Sequence, residues 1–214
     1  MRNCERKCQP GVRLMVLGLL LIAAAFLLAG YNLWDDWRAG AAAEQALEQM
    51  PEPAEMPEQS SADPEEQKIP DYILDPNREM PTVMIDGNAY IGTLDIPSLN
   101  LSLPVMSDWS YPKLRISPCR YAGTAYQSGF VIAGHNYSRH FGPLSSLSAG
   151  DRVIFTDEDG NVFYYQVAET QVLKPTAIEE MVSDDWDLSL FTCTLGGRTR
   201  LTVRCEKIET DDLR

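Results

Sequence analysis

Near the C-terminus the chain reads Phe191-Thr192-Cys193-Thr194, then Leu195-Gly196-Gly197-Arg198-Thr199-Arg200, then the apolar-alternating run from Leu201 to Cys205. Two β-favouring runs separated by Gly-Gly are a hairpin, because glycine takes the positive φ that a tight hairpin turn requires. Counting outward from the glycines pairs Leu195 with Arg198, Thr194 with Thr199, and Cys193 with Arg200. Directly opposed residues share a face with Cβ atoms about 4.5–5.5 Å apart, so this hairpin sets a thiol against a guanidinium. The same parity puts Arg200, Thr202 and Arg204 on one face and Leu201, Val203 and Cys205 on the apolar one.

From Tyr90 onward the chain continues in this manner, as short strands between turn signals. Expected strands are 90–96, 99–105, 130–133, 152–156, 162–168, 188–194 and 200–208, and Thr176 to Val182 is the best short helix among them. Strands at this spacing predict an all-β domain, a closed barrel or a sandwich. Asp157-Glu158-Asp159-Gly160 is a hairpin turn and not a calcium loop, which would need a longer ligand series with a terminal bidentate Glu.

The N-terminal part is built differently. Leu14 to Gly30 is an unbroken apolar run of 17 residues, continued by Tyr31, Asn32, Leu33 and Trp34. About 20 helical residues cross a bilayer, whereas the apolar core of a cleaved signal peptide is usually about 7–15, so an uncleaved anchor is expected. Arg2, Arg6, Lys7 and Arg13 precede the run while Asp35 and Asp36 follow it. This bias keeps the N-terminus cytoplasmic and exports the rest. Residues 41–80 hold eleven Asp/Glu against Lys68 and Arg78, with six prolines. Such a segment repels itself into an extended spacer, apart from a short helix over Gly40 to Met50. The expected organisation is a cytoplasmic N-terminus (1–13), a transmembrane anchor (14–34), an acidic Pro-rich spacer (35–87), a folded β-domain (88–208) and a tail (209–214). The net charge of −13 is mostly spacer, and no basic patch for nucleic acid is present. The expected contact beyond protein partners is membrane lipid.

Five cysteines and two histidines narrow the chemistry. Cys4 and Cys8 are on the reduced side, where acylation or zinc binding is conceivable. Cys119, Cys193 and Cys205 are exported and odd in number, so at least one is free or paired between chains. Cys205 is expected in the core or bridged to Cys119, leaving Cys193 exposed. His135 ends the apolar strand Val131-Ile132-Ala133-Gly134, and His140 follows in a loop beside Phe141. The thiolate is the attacking form of cysteine and a neighbouring cation favours it. An arginine can stabilise the oxyanion formed on attack, and a histidine can protonate the leaving amine and deprotonate the incoming one. Cys193, His135 and Arg200 are therefore the candidate nucleophile, acid/base and oxyanion-stabilising residue.

These residues carry a resemblance. Gly134-His135-Asn136, then the strand-terminal Thr192-Cys193-Thr194, then Arg200-Leu201-Thr202-Val203-Arg204 after a short turn, resembles the sortase family. Tyr90-Ile91-Gly92-Thr93-Leu94-Asp95-Ile96-Pro97-Ser98-Leu99 is similar to the first strand of that domain, followed by Leu103-Pro104-Val105. Phe141 to Asp151 is similar to the segment after its histidine, and the likeness covers about residues 88–208. The resemblance implies an eight-stranded sortase-type β-barrel with short helices, preceded by one transmembrane helix. It implies a membrane-anchored cysteine transpeptidase with neither cofactor nor metal. Cys193 would attack the Thr–Gly bond of an LPxTG-like sorting signal on a secreted protein. The thioester would pass to an amine of peptidoglycan or its precursor, with a pilin lysine less favoured. Arg200 would also position substrate, with Arg198, diagonal to Cys193, as the runner-up. The segment Lys174 to Asp187 would help form the groove.

Some features depart from the family pattern. Leu188-Ser189-Leu190-Phe191-Thr192-Cys193 replaces the common Thr-Leu-x-Thr-Cys. Asp75-Pro76-Asn77 lacks the aromatic of a pilin-type lid, which favours anchoring or housekeeping over pilus building. The pattern is nearest to classes D or C. Three other readings compete. An L,D-transpeptidase or wall peptidase would carry Ser-x-Gly-Cys or a Cys ahead of His. A non-catalytic binding or scaffold domain would hold Cys193 in a disulfide. A zinc site of Cys119, His135, His140 and Cys193 lacks ligand spacing.

Overall fold

The computed structural model describes residues 10–51, 69–194 and 196–209. Cys4, Cys8, the middle of the acidic spacer, Leu195 and the tail from 210 lie outside the described residues. The chain divides into two compact units, 1–38 and 39–214.

In the first unit the described residues belong to helix α1 (Pro10–Gln49), one continuous element rather than an anchor followed by a separate short helix. Nothing in Gly40-Ala41-Ala42-Ala43 breaks it, since alanine has the highest helix propensity and the first proline comes at Pro51. Leu14, Leu17, Leu20, Leu21, Phe26 and Leu28 are all exposed. A helix apolar on every side and exposed fits a membrane span, and α1 is long and apolar enough to cross a bilayer.

The second unit is a closed β-barrel. Its strands are β1 (Val83–Ile85), β2 (Asn88–Ile96), β3 (Leu101–Met106), β4 (Cys119–Ala122), β5 (Phe130–Gly134), β6 (Arg152–Asp157), β7 (Val162–Leu173), β8 (Leu188–Cys193) and β9 (Arg200–Lys207). The sheet order is β1-β2-β3-β4-β5-β8-β9-β7-β6, and β6 pairs back onto β2. Eight strands thus close the barrel, with β1 as an added hairpin arm. Closure removes the exposed edges of a sheet. Gly92 sits at the seam with φ 144°, where a Cβ would lie 2.0 Å from the Thr156 carbonyl oxygen. The short helices are α2 (Asp71–Leu74), α3 (Tyr111–Leu114) and α4 (Ile178–Met181).

Alternation builds two layers. Leu94, Phe130, Ile132, Phe155, Phe163, Leu188, Leu190, Val203 and Cys205 fill the interior. On the outer face, Tyr90, Met106, Leu114, Cys119 and Ala133 form a second cluster, and Val131, Leu173 and Met181 a third. Cys205 is in the core, as parity requires. Cys119 belongs to the outer cluster, and Cys119, Cys193 and Cys205 are all free thiols. The Cys119–Cys205 bridge considered from the sequence is therefore not formed.

Several boundaries move. β1 and β4 were missed because three or four residues are too short to show alternation. The strand expected from Leu99 starts at Leu101, because Pro97–Leu99 is a 3-10 turn ending on Asn100 in the left-handed region. β7 runs on to Leu173 through a bulge between Val167 and Glu169. The folded body also begins before residue 88. Met80 and Ile85 are buried, and Tyr72 stacks on Tyr126 with ring centroids 5.1 Å apart. The acidic residues around these apolar side chains mask the fact that the last part of the segment packs.

Candidate active site

The site lies where β5, β8 and β9 end side by side. β8 and β9 pair antiparallel with Cys193 directly opposite Arg200, as the hairpin count requires. Gly196 and Gly197 both carry positive φ, 81° and 68°. The Gly197 N–H donates to the Thr194 carbonyl at 2.8 Å, and the Thr194 N–H donates to the Thr199 carbonyl at 3.1 Å. The Thr194 and Thr199 hydroxyls lie 2.7 Å apart and close the hairpin further.

β5 and β8 are parallel neighbours whose ladder ends at Gly134 opposite Thr192. The next residues in that register are His135 and Cys193, so the imidazole, thiol and guanidinium follow one another across three adjacent strands. Thr192 is buried while Cys193, His135 and Arg200 are partly exposed. All three line one cavity of about 200 Å³.

Gly134 has a specific role. A Cβ there would lie 2.5 Å from the Phe141 ring, so only glycine lets that buried ring lie against the strand end. The Phe141 N–H donates to the His135 carbonyl at 3.1 Å and closes the loop beyond the histidine. The close approach that Gly134 permits is thus by Phe141. His140 is buried, with Nε2 3.3 Å from the Ala39 carbonyl oxygen. Among the described residues no group of three His, Cys, Asp or Glu side chains could hold a metal ion, so the zinc alternative has no cluster to stand on.

Two walls flank the thiol. One is aromatic, and no motif in the sequence marks it. Phe191, two residues before Cys193 on the same face of β8, packs edge-on against Tyr121 at 5.2 Å, Tyr121 meets Trp109 at 5.4 Å, and Trp109 meets Tyr111 at 5.8 Å. These four side chains line the cavity together with Leu114. Aromatic residues so far apart in sequence offer no local signal. The other wall is the β7–β8 connection, where Lys174, Ala177, Ile178 and Met181 line the same space. These four residues belong to the segment Lys174 to Asp187.

Arg204 holds the second wall in place. It is 1 % exposed although it faces outward on β9. Its Nη1 donates to the Ser189 hydroxyl at 2.7 Å and to the Met181 carbonyl at 3.2 Å. Its Nη2 donates to the Glu180 carbonyl, and its Nε to Gln171 Oε1 at 3.1 Å. The guanidinium therefore satisfies carbonyls at the C-terminal end of α4, which a four-residue helix leaves without partners. Burial lowers its pKa from the ordinary guanidinium value. Parity had placed Arg204 beside Arg200 without revealing that it is a structural clamp.

Two other thiols among the described residues are buried. Burial pushes both Cys119 and Cys205 up to about 12. A buried thiol of that kind is inert, and reactivity belongs to an accessible one.

A family model for the sortase domain matches residues 94–208, and the chain belongs to the sortase family. Sortase A of Bacillus anthracis is 26% identical over 129 residues, 54% of this chain and 57% of that protein, so the chain spans little more than half that relative's length. Among solved structures, a sortase D5 transpeptidase of Clostridium perfringens superposes with a TM-score of 0.51 at 23% identity, over 56% of this chain and 79% of that one. Sortase C of Clostridium perfringens, solved with the C-terminal cell wall sorting motif, gives 0.50 at 27% identity, over 56% and 71%. The likeness spreads over classes A, C and D rather than converging on one.

Proposed function

We propose that this chain is a membrane-anchored sortase that cleaves an LPxTG-like sorting signal through a Cys193 thioester and transfers the cleaved protein to a cell-wall amine. The observation that carries this reading is the alignment of His135, Cys193 and Arg200 across the ends of β5, β8 and β9, on one cavity.

In the first step the Cys193 thiolate attacks the carbonyl carbon of the Thr–Gly bond. Arg200 donates hydrogen bonds to the oxygen that becomes negative. The tetrahedral intermediate collapses, the C–N bond breaks, and His135 gives its proton to the departing amine. In the second step an acceptor amine attacks the thioester, His135 takes its proton, and the thiolate leaves. The aromatic and α4 walls hold the peptide beside the thiol, since positioning supplies a large part of such catalysis.

The acceptor favoured here is an amine of peptidoglycan or its precursor. Asp75-Pro76-Asn77 supports this over pilus building: Asn77 is bonded to Gln127 at 3.0 Å, and none of the three residues lines the cavity. The basic residues before the apolar run favour a cytoplasmic N-terminus with the barrel outside. The test is turnover of a panel of LPxTG-like peptides by the full chain in detergent, with and without oligoglycine or diaminopimelate-type amines. The reading requires amine-dependent ligation products, and the absence of both ligation and hydrolysis across the panel would overturn it.

A further inference from the structure

A chain of contacts runs from the helical segment 39–49 to His135. Ala39, Ala43 and Ala46 recur on one face of α1 and are 0%, 2% and 4% exposed. Ala43 belongs to the main core, and Ala46 to the cluster that holds Ala133, two residues before His135. Gly40 faces Arg139, where a Cβ would lie 2.5 Å from Arg139 Cδ, and Arg139 pairs with Glu44. That ion pair is solvent-exposed, and such pairs contribute at most about 1 kcal/mol. Docking therefore rests on the buried alanines and on His140.

His140 is the link. Its Nε2 is 3.3 Å from the Ala39 carbonyl oxygen, and its ring meets Tyr137 edge-on at 5.5 Å. Tyr137 in turn packs on His135 with centroids 5.0 Å apart. The loop that carries these rings is closed by the Phe141 N–H on the His135 carbonyl and by the His140 and Gly142 N–H groups on the Tyr137 carbonyl.

We propose that the segment 39–49 is a positioning element for His135, acting through His140 and Tyr137. The sequence reads this segment as a short helix at the start of the spacer, whereas the contacts tie it to the loop that carries His135. Proton transfer depends on geometry before pKa, and a misplacement of about 1 Å can cost on the order of 10²-fold in rate. The proposal rests on the reading of His135 as acid/base.

The experiment uses the full chain in detergent micelles, with a sorting peptide found to be turned over. Tyr137→Leu removes the ring between the two histidines, Tyr137→Phe keeps it, and Ala39→Leu disturbs the dock without touching the cavity. Tyr137→Leu and Ala39→Leu should each lower kcat roughly tenfold or more with KM within about twofold, the thermal midpoint being nearly retained in Tyr137→Leu and lowered in Ala39→Leu, where the added side chain overpacks a fully buried site. Tyr137→Phe should restore kcat. A merely structural role would shift the midpoint and leave the kcat-to-KM balance alone. Should Ala39→Leu fail to fold, His140→Phe takes its place, keeping a ring against Tyr137 while losing the contact to the Ala39 carbonyl, and wild-type kcat in that variant would overturn the proposal. Wild-type kcat in a folded Tyr137→Leu variant would overturn the proposal while an inactive His135→Ala leaves the acid/base reading standing. Full activity in His135→Ala would overturn both.

Discussion

Cys193 and Arg200 are directly opposed across the β8–β9 ladder, and Arg200 Nη1 is tethered to its own hairpin, 3.1 Å from the Gly197 carbonyl oxygen and 3.2 Å from that of Thr199. A guanidinium has five N–H donors, so this tether fixes the plane of the fork and leaves donors for a substrate oxygen.

From this geometry, Arg200→Lys should lower kcat/KM by roughly 10²-fold, the scale of losing an oxyanion donor, although the charge is kept. An ammonium has no planar fork to be held by the two carbonyls. Arg198→Ala, on an exposed turn residue, should cost little. Steady-state kinetics on both variants checks this, and the reverse order of effects would transfer the role to Arg198.

The three described thiols should separate in reactivity. Cys119 and Cys205, held up to about 12 by burial, should resist iodoacetamide at pH 7.5 in the native chain, while the partly exposed Cys193 is alkylated. Peptide mapping by mass distinguishes them. Under denaturant all three should react alike.

The turn after β6 makes stability depend on pH. Burial, and then the charges of Asp157 and Asp159, raise Glu158 to about 7 from 4.5. A carboxyl raised on folding stabilises in its protonated form, so its contribution is complete below about 4.5 and is lost as pH climbs through 7. Glu158→Gln should therefore raise the thermal midpoint at pH 8 and leave it nearly unchanged at pH 4.5. Midpoints measured at both pH values check the sign.

Removing the clamp should loosen one wall. Hydrogen bonds to a charged group contribute about 1.5–3 kcal/mol each, and Arg204→Met leaves the Glu180 and Met181 carbonyls without their donor. The expected result is a destabilisation of at least about 2 kcal/mol by denaturant titration, with KM for the sorting peptide rising more than kcat falls.

What could be read from the chain alone divides by range of interaction. The Cys193–Arg200 register was legible because a glycine pair fixes the count outward on both sides. His135 was legible because there are two histidines and only one ends a strand. Closure of the barrel through β2 and β6 was not, since nothing local in Thr93 or Thr156 announces the partner. The aromatic wall joins Trp109, Tyr121 and Phe191 from three separate stretches, and only the fold brings them together. Ala39, Ala43 and Ala46 were hidden for another reason: small residues in an acidic segment look like linker until a surface is found that their size fits.

The most direct test of the central claim is the mass of the enzyme during turnover. The chain incubated with an LPxTG-like peptide and quenched in acid should gain the acyl fragment ending in the threonine carbonyl, mapped to the Cys193 peptide. Cys193→Ala should keep the same thermal midpoint and gain nothing. Cleavage of the peptide with no adduct on Cys193, and with turnover retained in Cys193→Ala, would contradict the account.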